Sequence, residues 1–147
     1  MGLNTLIIIT AASYSGFLLI LARAAGRIDP LLCAVFSNCV AAVLPLALYY
    51  YFQARGATPL PATSGGIFLA CAGGVLISVF AVLTILIFQK DGVSYAAPLI
   101  YGLTVVIMTA AGGWLFKESL PPLQLAGTAV VIVGLGLITW SRYAAQG

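Results

Sequence analysis

The side chains of this sequence that offer chemistry within its long apolar stretches are uncharged hydroxyls, phenols and one amide. Asn38 carries that amide, whose two N–H donors and oxygen acceptor exceed what one turn of helix can satisfy. Tyr14 and Tyr101 lie far from the ends of their apolar stretches, where aromatic anchoring in the headgroup layer does not explain them. Such groups can bind a neutral or zwitterionic solute by hydrogen bonds. The candidate substrate-pathway residues are Tyr14, Ser37, Asn38, Ser78, Tyr101 and Thr104.

A structural role is the alternative for each of these side chains. Hydroxyls within a helix can bond to their own backbone, and this favours a structural role for the serines and threonines. Polar contacts between membrane helices contribute roughly 0.6 kcal/mol on average. For Asn38, binding of a solute and bonding between helices both remain open.

Several other kinds of chemistry are excluded by what the sequence lacks. It contains no histidine, and its three cysteines, Cys33, Cys39 and Cys71, all lie in apolar stretches without the spacing of a metal site or a disulfide framework. No phosphate-binding glycine loop is present. The net charge of +3 is spread over short segments, unlike a nucleic-acid-binding surface. We therefore expect a protein that is not an enzyme, with no cofactor, no metal and no nucleic-acid partner.

The elements that hold these residues must be membrane helices. Hydrophobic residues make up 63% of the 147-residue chain and charged residues 6%, against about 25% in a soluble domain. The charged residues form five clusters separated by uncharged spans of at least 22 residues, whereas about 20 residues of helix cross the hydrocarbon core. Lipid satisfies no backbone polar group, so these spans must be helical. We predict an all-α bundle forming a single domain, 1–147, with helices at about 3–22, 31–52, 66–88, 94–115 and 121–140.

Orientation follows from the lysines and arginines in the short connections. Four of them lie on the side of the C-terminus and two on the other side; the four are Arg23, Arg27, Lys90 and Arg142, and the two are Arg55 and Lys117. This bias predicts a cytoplasmic C-terminus and an N-terminus outside, in a multi-pass protein of the bacterial inner membrane. The uncharged start of the chain favours a first helix that is retained rather than cleaved as a signal peptide.

The Lys117–Glu118 pair interrupts the apolar sequence between the fourth and fifth spans. We interpret it as a polar turn in which Ser119 caps the fifth helix and Pro121–Pro122 form its first turn. Gly127 and Gly134 are seven residues apart on one face of that helix, a spacing that favours close helix packing. We therefore assign Glu118, Ser119, Gly127 and Gly134 to the structural hairpin and its packing.

The segment from Gly112 to Gly134 resembles the closing signature of EamA-type members of the drug/metabolite transporter superfamily. The matching residues are Glu118, Gln124, Gly127 and Gly134, and the upstream run Tyr95–Leu99 resembles the family's entry to its fourth helix. Two family features are missing. Tyr14 lies near the place of a frequent tryptophan in the first helix, and Ser37 and Asn38 lie in the region where an arginine is often found.

The resemblance implies half of a transporter, because larger family members resemble two inverted five-helix repeats in one chain. A single repeat is then expected to pair either with a second copy, for which an antiparallel arrangement is one alternative, or with another half-size chain. The implied function is transport, by export, of a small neutral or zwitterionic metabolite. Two alternatives are a non-transporting accessory subunit of a larger membrane complex and a subunit of a lipid-carrier flippase.

Overall fold

The computed structural model describes residues 2–146 and contains five α-helices in that range. All five are long and apolar enough to cross a membrane, and the predicted fold class is confirmed. Residues 1 and 147, the ends of the predicted domain, lie outside the described residues. The helices are α1 (Leu3–Ala24), α2 (Pro30–Ala54), α3 (Ser64–Asp91), α4 (Val93–Leu115) and α5 (Pro122–Gln146).

The helices extend beyond several of the predicted spans because a helix need not stop where its apolar sequence stops. The largest difference is at the end of α5, which continues through Arg142 instead of ending at residue 140. At the end of α3, the helix includes Lys90 and Asp91. Polar side chains at these ends can lie in the headgroup layer, which adds to the roughly 30 Å hydrocarbon core. The apolar pattern therefore located the spans but underestimated the helix lengths.

Local sequence determines where α2 begins and where α3 gives way to α4. Asp29 is the N-cap of α2, and its Oδ1 accepts hydrogen bonds from the backbone N–H groups of Leu31 at 2.9 Å and Leu32 at 3.3 Å. Pro30 follows at the first helical position, where its missing N–H removes no helical bond. Gly92 alone separates α3 from α4, and its φ of 74° is a value that residues with a Cβ rarely adopt.

The chain divides into two compact units, residues 1–90 and 91–147. The first contains a small core formed by the end of α1, the start of α2 and the end of α3. Leu21, Cys33 and Ile85 are buried there, and the partly buried residues packed against them are Phe17, Ala24, Ala25 and Ile28.

The second unit is the α4–α5 hairpin, closed by the turn over residues 116–121. The two helices approach closely at Gly102, where a Cβ would collide with the side chain of Leu135. Any larger residue at this position would force the Leu135 side chain to move, because it occupies the space next to the glycine.

Candidate functional site

Asn38 and Ser78, which are 40 residues apart in sequence, meet between α2 and α3. Asn38 Nδ2 donates a hydrogen bond to Ser78 Oγ at 3.2 Å, and Ser78 Oγ donates to the carbonyl of Gly74 at 2.9 Å. Both side chains are half-buried. The bond to Ser78 uses one N–H of an amide that has two donors and an acceptor. The second N–H and the amide oxygen are the groups with which this site could bind a solute.

Apolar grooves lie beside both serines of the predicted pathway. One groove, of about 340 Å³, includes Ser78; its lining residues are Leu31, Ser78, Val79, Val82 and Leu83. A second, of about 450 Å³, includes Ser37 next to Asn38; its lining residues are Phe17, Phe36, Ser37, Val40 and Ala41. Ser37 Oγ donates to the carbonyl of Ala34 at 3.0 Å, which leaves its oxygen as an acceptor. The first unit thus places a few polar atoms against largely apolar walls.

Tyr14 occupies the middle of a row of three aromatic rings in the first unit. Its ring centroid is 6.0 Å from that of Phe17 and 6.5 Å from that of Phe80, with interplanar angles of 25° and 22°. A groove of about 410 Å³ lies beside it, lined by Leu6, Ile7, Thr10, Ala11 and Tyr14. Sequence reasoning missed Phe80, because only the pairing of α1 with α3 brings that ring to Tyr14. The contact of Phe17 with Tyr14 could have been predicted, because the two residues are three apart on one face of α1.

Tyr101 and Thr104, the other two predicted pathway residues, lie on α4 in the second unit. Thr104 Oγ1 donates to the carbonyl of Ile100 at 2.8 Å, and this is a bond within its own helix. Tyr101 is half-buried, and Thr104 is exposed. The structure therefore brings together Asn38 and Ser78 by a direct bond, while Thr104 makes the local bond that its residue type favours.

Glu118 lies in the turn between α4 and α5 and folds back on the end of α4. Its backbone N–H donates to the carbonyl of Gly112 at 3.1 Å. A Cβ at Gly112 would lie 3.0 Å from Glu118 Oε2, and a Cβ at Gly113 would lie 2.9 Å from Leu120 Cδ1. The two glycines therefore admit the returning segment. Lys117 makes the reversal with a φ of 52°, which is uncommon for a residue other than glycine.

The structure differs from the roles predicted for Ser119 as a cap and for Gly127 and Gly134 as packing residues. The N-cap of α5 is Pro121 and not Ser119, because the carbonyl of Pro121 accepts the first helical bond, from Leu125 N–H at 3.2 Å. Ser119 precedes it in the turn, too early to cap the helix. A Cβ at Gly127 or Gly134 would meet no atom within 4 Å in the described residues. These glycines therefore lie at no close contact within the described α4–α5 hairpin.

A charged cluster joins the end of α5 to Asp91, the last residue of α3, and to Tyr95 in the first turn of α4. Arg142 Nη2 forms a salt bridge with Asp91 Oδ1, and the Arg142 guanidinium carbon lies 4.2 Å from the centre of the Tyr95 ring. Sequence reasoning assigned Arg142 only to the orientation bias. The sequence did contain an indication of this salt bridge, because Asp91 and Arg142 are opposite charges near predicted helix ends on one side of the membrane.

Comparison with known families decides the class of the protein. The model of the EamA-like transporter family matches residues 3–140, which include nearly all of the five helices. The chain belongs to the EamA-like transporter family. It is thus a multi-pass membrane protein of a family of small-molecule transporters rather than of enzymes. Comparisons with curated proteins and with solved structures find no match.

Proposed function

We propose that this EamA-like protein is a half-size exporter that moves a small neutral or zwitterionic metabolite and works as a dimer of two five-helix repeats. The observation that carries this proposal is the amide of Asn38, half-buried between α2 and α3 and bonded there to Ser78. An amide at membrane depth is costly unless its groups find partners. A solute with donors and acceptors can supply partners for the groups that Ser78 does not engage.

The charge distribution supports a solute with little net charge. The charged side chains of the chain lie at helix ends or in connections, with none in the middle of a span. A solute with a full net charge would meet no opposing charge within the spans. Placing a charged side chain at the centre of a membrane helix costs roughly 2.5–3.5 kcal/mol, about as much as two good hydrogen bonds return. A neutral solute avoids that cost, and in a zwitterionic solute the attraction between its two charges offsets part of it.

Separate observations support the direction of transport and the orientation of the protein in the membrane. Export is the direction that the resemblance to drug/metabolite transporters implies. The excess of Lys and Arg at the connections on the C-terminal side supports a cytoplasmic C-terminus in a bacterial inner membrane. Labelling of single tags at the two termini from outside intact cells measures this orientation, and access to the C-terminal tag alone would contradict it.

Efflux from liposomes tests the transport function. Purified protein is reconstituted in vesicles preloaded with one labelled solute from a panel of neutral amino acids, small amides and polyols, and protein-free vesicles measure passive leak. We expect saturable efflux of at least one neutral or zwitterionic solute and none of a simple inorganic ion. Absence of flux for every solute would overturn the proposal, and co-purification in a stable larger assembly would then identify an accessory subunit.

A further inference from the structure

Three exposed basic side chains lie at the end of the first unit where its core is packed. They are Arg23 in the last turn of α1, Arg27 in the connection to α2, and Lys90 in the last turn of α3. The buried residues Leu21 and Ile85 bring the ends of α1 and α3 together in this core. Arg23 and Lys90 follow them by roughly 3 and 7.5 Å along the two helices. The three basic residues therefore share one end of the unit.

The connection between α1 and α2 is held in place by its own contacts. The backbone N–H of Arg27 donates to the carbonyl of Ala24 at 3.0 Å, and Ala25 forms a short β-bridge with Ile28. Ala24, Ala25 and Ile28 also pack against the core. The backbone that carries the two arginines is therefore ordered in advance, and such a site loses less entropy when it binds a ligand.

None of these three basic side chains forms a salt bridge with another described residue. The acidic residues nearest to them in sequence have other partners. Asp29 accepts the two cap hydrogen bonds at the start of α2, and Asp91 pairs with Arg142 of the second unit. At the opposite end of α2, Arg55 lies over the ring of Tyr51. The packed end of the first unit thus presents three cations that no carboxylate of the described chain holds.

Helix dipoles explain only part of this arrangement. Arg23 and Lys90 lie in the last turns of their helices, where the negative end of the dipole favours a cation. Arg27 lies outside both helices, two residues before the N-cap Asp29, and the positive end of α2 disfavours a cation there. A negative group from outside the described chain would stabilise all three cations together.

We infer that this end of the first unit binds the headgroup phosphate of an anionic phospholipid through Arg23, Arg27 and Lys90. The 22 residues of α1 extend over roughly 33 Å, about the thickness of the hydrocarbon core, so the helix ends reach the depth of the lipid phosphates. A guanidinium group matches two oxygens of a phosphate with paired hydrogen bonds. A headgroup with net negative charge is favoured over a zwitterionic one, whose positive group would meet three cations.

Lipid retention by the purified full chain tests this site independently of transport. Protein in a neutral detergent is mixed with phosphatidylglycerol or with phosphatidylcholine of the same acyl chains, and the bound lipid is counted by native mass spectrometry. We expect the wild type to bind phosphatidylglycerol at least about tenfold more tightly, since basic residues at a membrane surface favour anionic lipid. The preference should decrease at high ionic strength, because salt screens exposed charges.

Two double variants that each remove two positive charges separate this site from a general effect of charge. We expect Arg23→Gln/Arg27→Gln to weaken binding of phosphatidylglycerol about fivefold for each arginine removed, and Arg55→Gln/Lys117→Gln to leave it unchanged. The helical circular dichroism of each variant checks its fold. Lys90→Gln, a single change at an exposed helix end, should also weaken binding about fivefold and tests the site if the arginine variant does not fold.

Two results would overturn the inference. The first is equal binding of the two lipids by the wild type. The second is an equal loss of phosphatidylglycerol in the two double variants, which would mean that net charge alone attracts the lipid. Inorganic phosphate distinguishes a lipid site from a site for a soluble anion. We expect an equal concentration of phosphate to displace little phosphatidylglycerol, because the acyl chains also contribute to binding, and full displacement would contradict the assignment to lipid.

Discussion

The α4–α5 hairpin and the α2–α3 pair are both antiparallel pairs of apolar helices, yet their packing differs along their lengths. The hairpin has contacts at both ends and in the middle. Arg142 of α5 stacks on Tyr95 of α4 at one end, Leu135 fills the space at Gly102 in the middle, and Glu118 N–H bonds to the carbonyl of Gly112 at the other end. Between α2 and α3, the hydrogen bond of Asn38 to Ser78 lies next to a segment that is exposed throughout.

This difference shows what joins helices in lipid. Apolar side chains gain little by leaving lipid for another apolar surface, so close packing, small residues and polar contacts determine which helices associate. In the hairpin a glycine faces a leucine that fits it, whereas Gly73 and Gly74 of α3 face open space. The hairpin is a completed contact, whereas this part of α3 makes no close contact within the described first unit.

The largest effect on the completed contact is expected from Gly102→Ala. The added Cβ collides with Leu135, and overpacking of this kind costs about 1–3 kcal/mol. Gly136→Ala is the control for the change in helix propensity, since its Cβ would meet no atom within 4 Å. The difference in unfolding free energy between the two variants, measured by detergent-driven unfolding, should equal the cost of the collision. Equal stabilities would mean that the Leu135 side chain moves aside without loss of packing, and that Gly102 is not needed for this contact.

Loss of the α2 N-cap should lower the unfolding free energy by a smaller amount, because it weakens the start of α2 beside the core of the first unit. Asp29→Ala leaves the N–H groups of Leu31 and Leu32 without the Oδ1 acceptor, and removal of such a cap costs about 1 kcal/mol. Asp29→Asn should retain most of the stability, because asparagine caps nearly as well. The same unfolding measurement compares the two. If Asn and Ala are equally destabilising, the negative charge and not the cap bond stabilises this end of α2.

Removal of the Arg142 side chain should lower the unfolding free energy least. The Arg142 and Asp91 side chains are 32% and 39% exposed, and an exposed pair of this kind contributes roughly 0.2–1 kcal/mol. We expect Arg142→Ala to lower the unfolding free energy by about 0.5–1 kcal/mol at low salt, including part of the stacking on Tyr95. The loss should shrink at high ionic strength, because salt screens exposed charges. A salt-independent loss would assign the effect to packing of the arginine stem.

Sequence alone could predict the membrane spans but not the contacts between them. The charge clusters separate apolar runs that must be helical in lipid, and Asp29-Pro30 is a recognisable helix start, so these features followed from local chemistry. The approach of Phe80 to Tyr14 could not be predicted, because it depends on how α1 and α3 pair. A nearly uniform apolar sequence gives little information on that register. The capping role of Ser119 was wrong because two prolines follow it and the second one begins the helix.

Part of the candidate site was predictable for a specific reason. Asn38 was identified because an amide has more hydrogen-bonding groups than its own helix can satisfy, and the structure pairs it with Ser78. That partner could not be distinguished from Ser37 or Thr104 by sequence, since every hydroxyl in a helix can bond to its own backbone. Both Ser37 and Thr104 make such a local bond.

The proposed transport depends on binding of the solute by the Asn38 amide. Its most direct test is the initial rate of solute efflux from liposomes that contain Asn38→Ala. This rate is compared with those of wild type and Ser78→Ala at equal amounts of reconstituted protein. We expect Asn38→Ala to transport on the order of tenfold more slowly, because an unpaired polar group on a bound solute costs about 1–3 kcal/mol. Ser78→Ala, which keeps the amide, should retain most of the rate. Wild-type efflux from Asn38→Ala would contradict the claim and make the amide a structural link between α2 and α3.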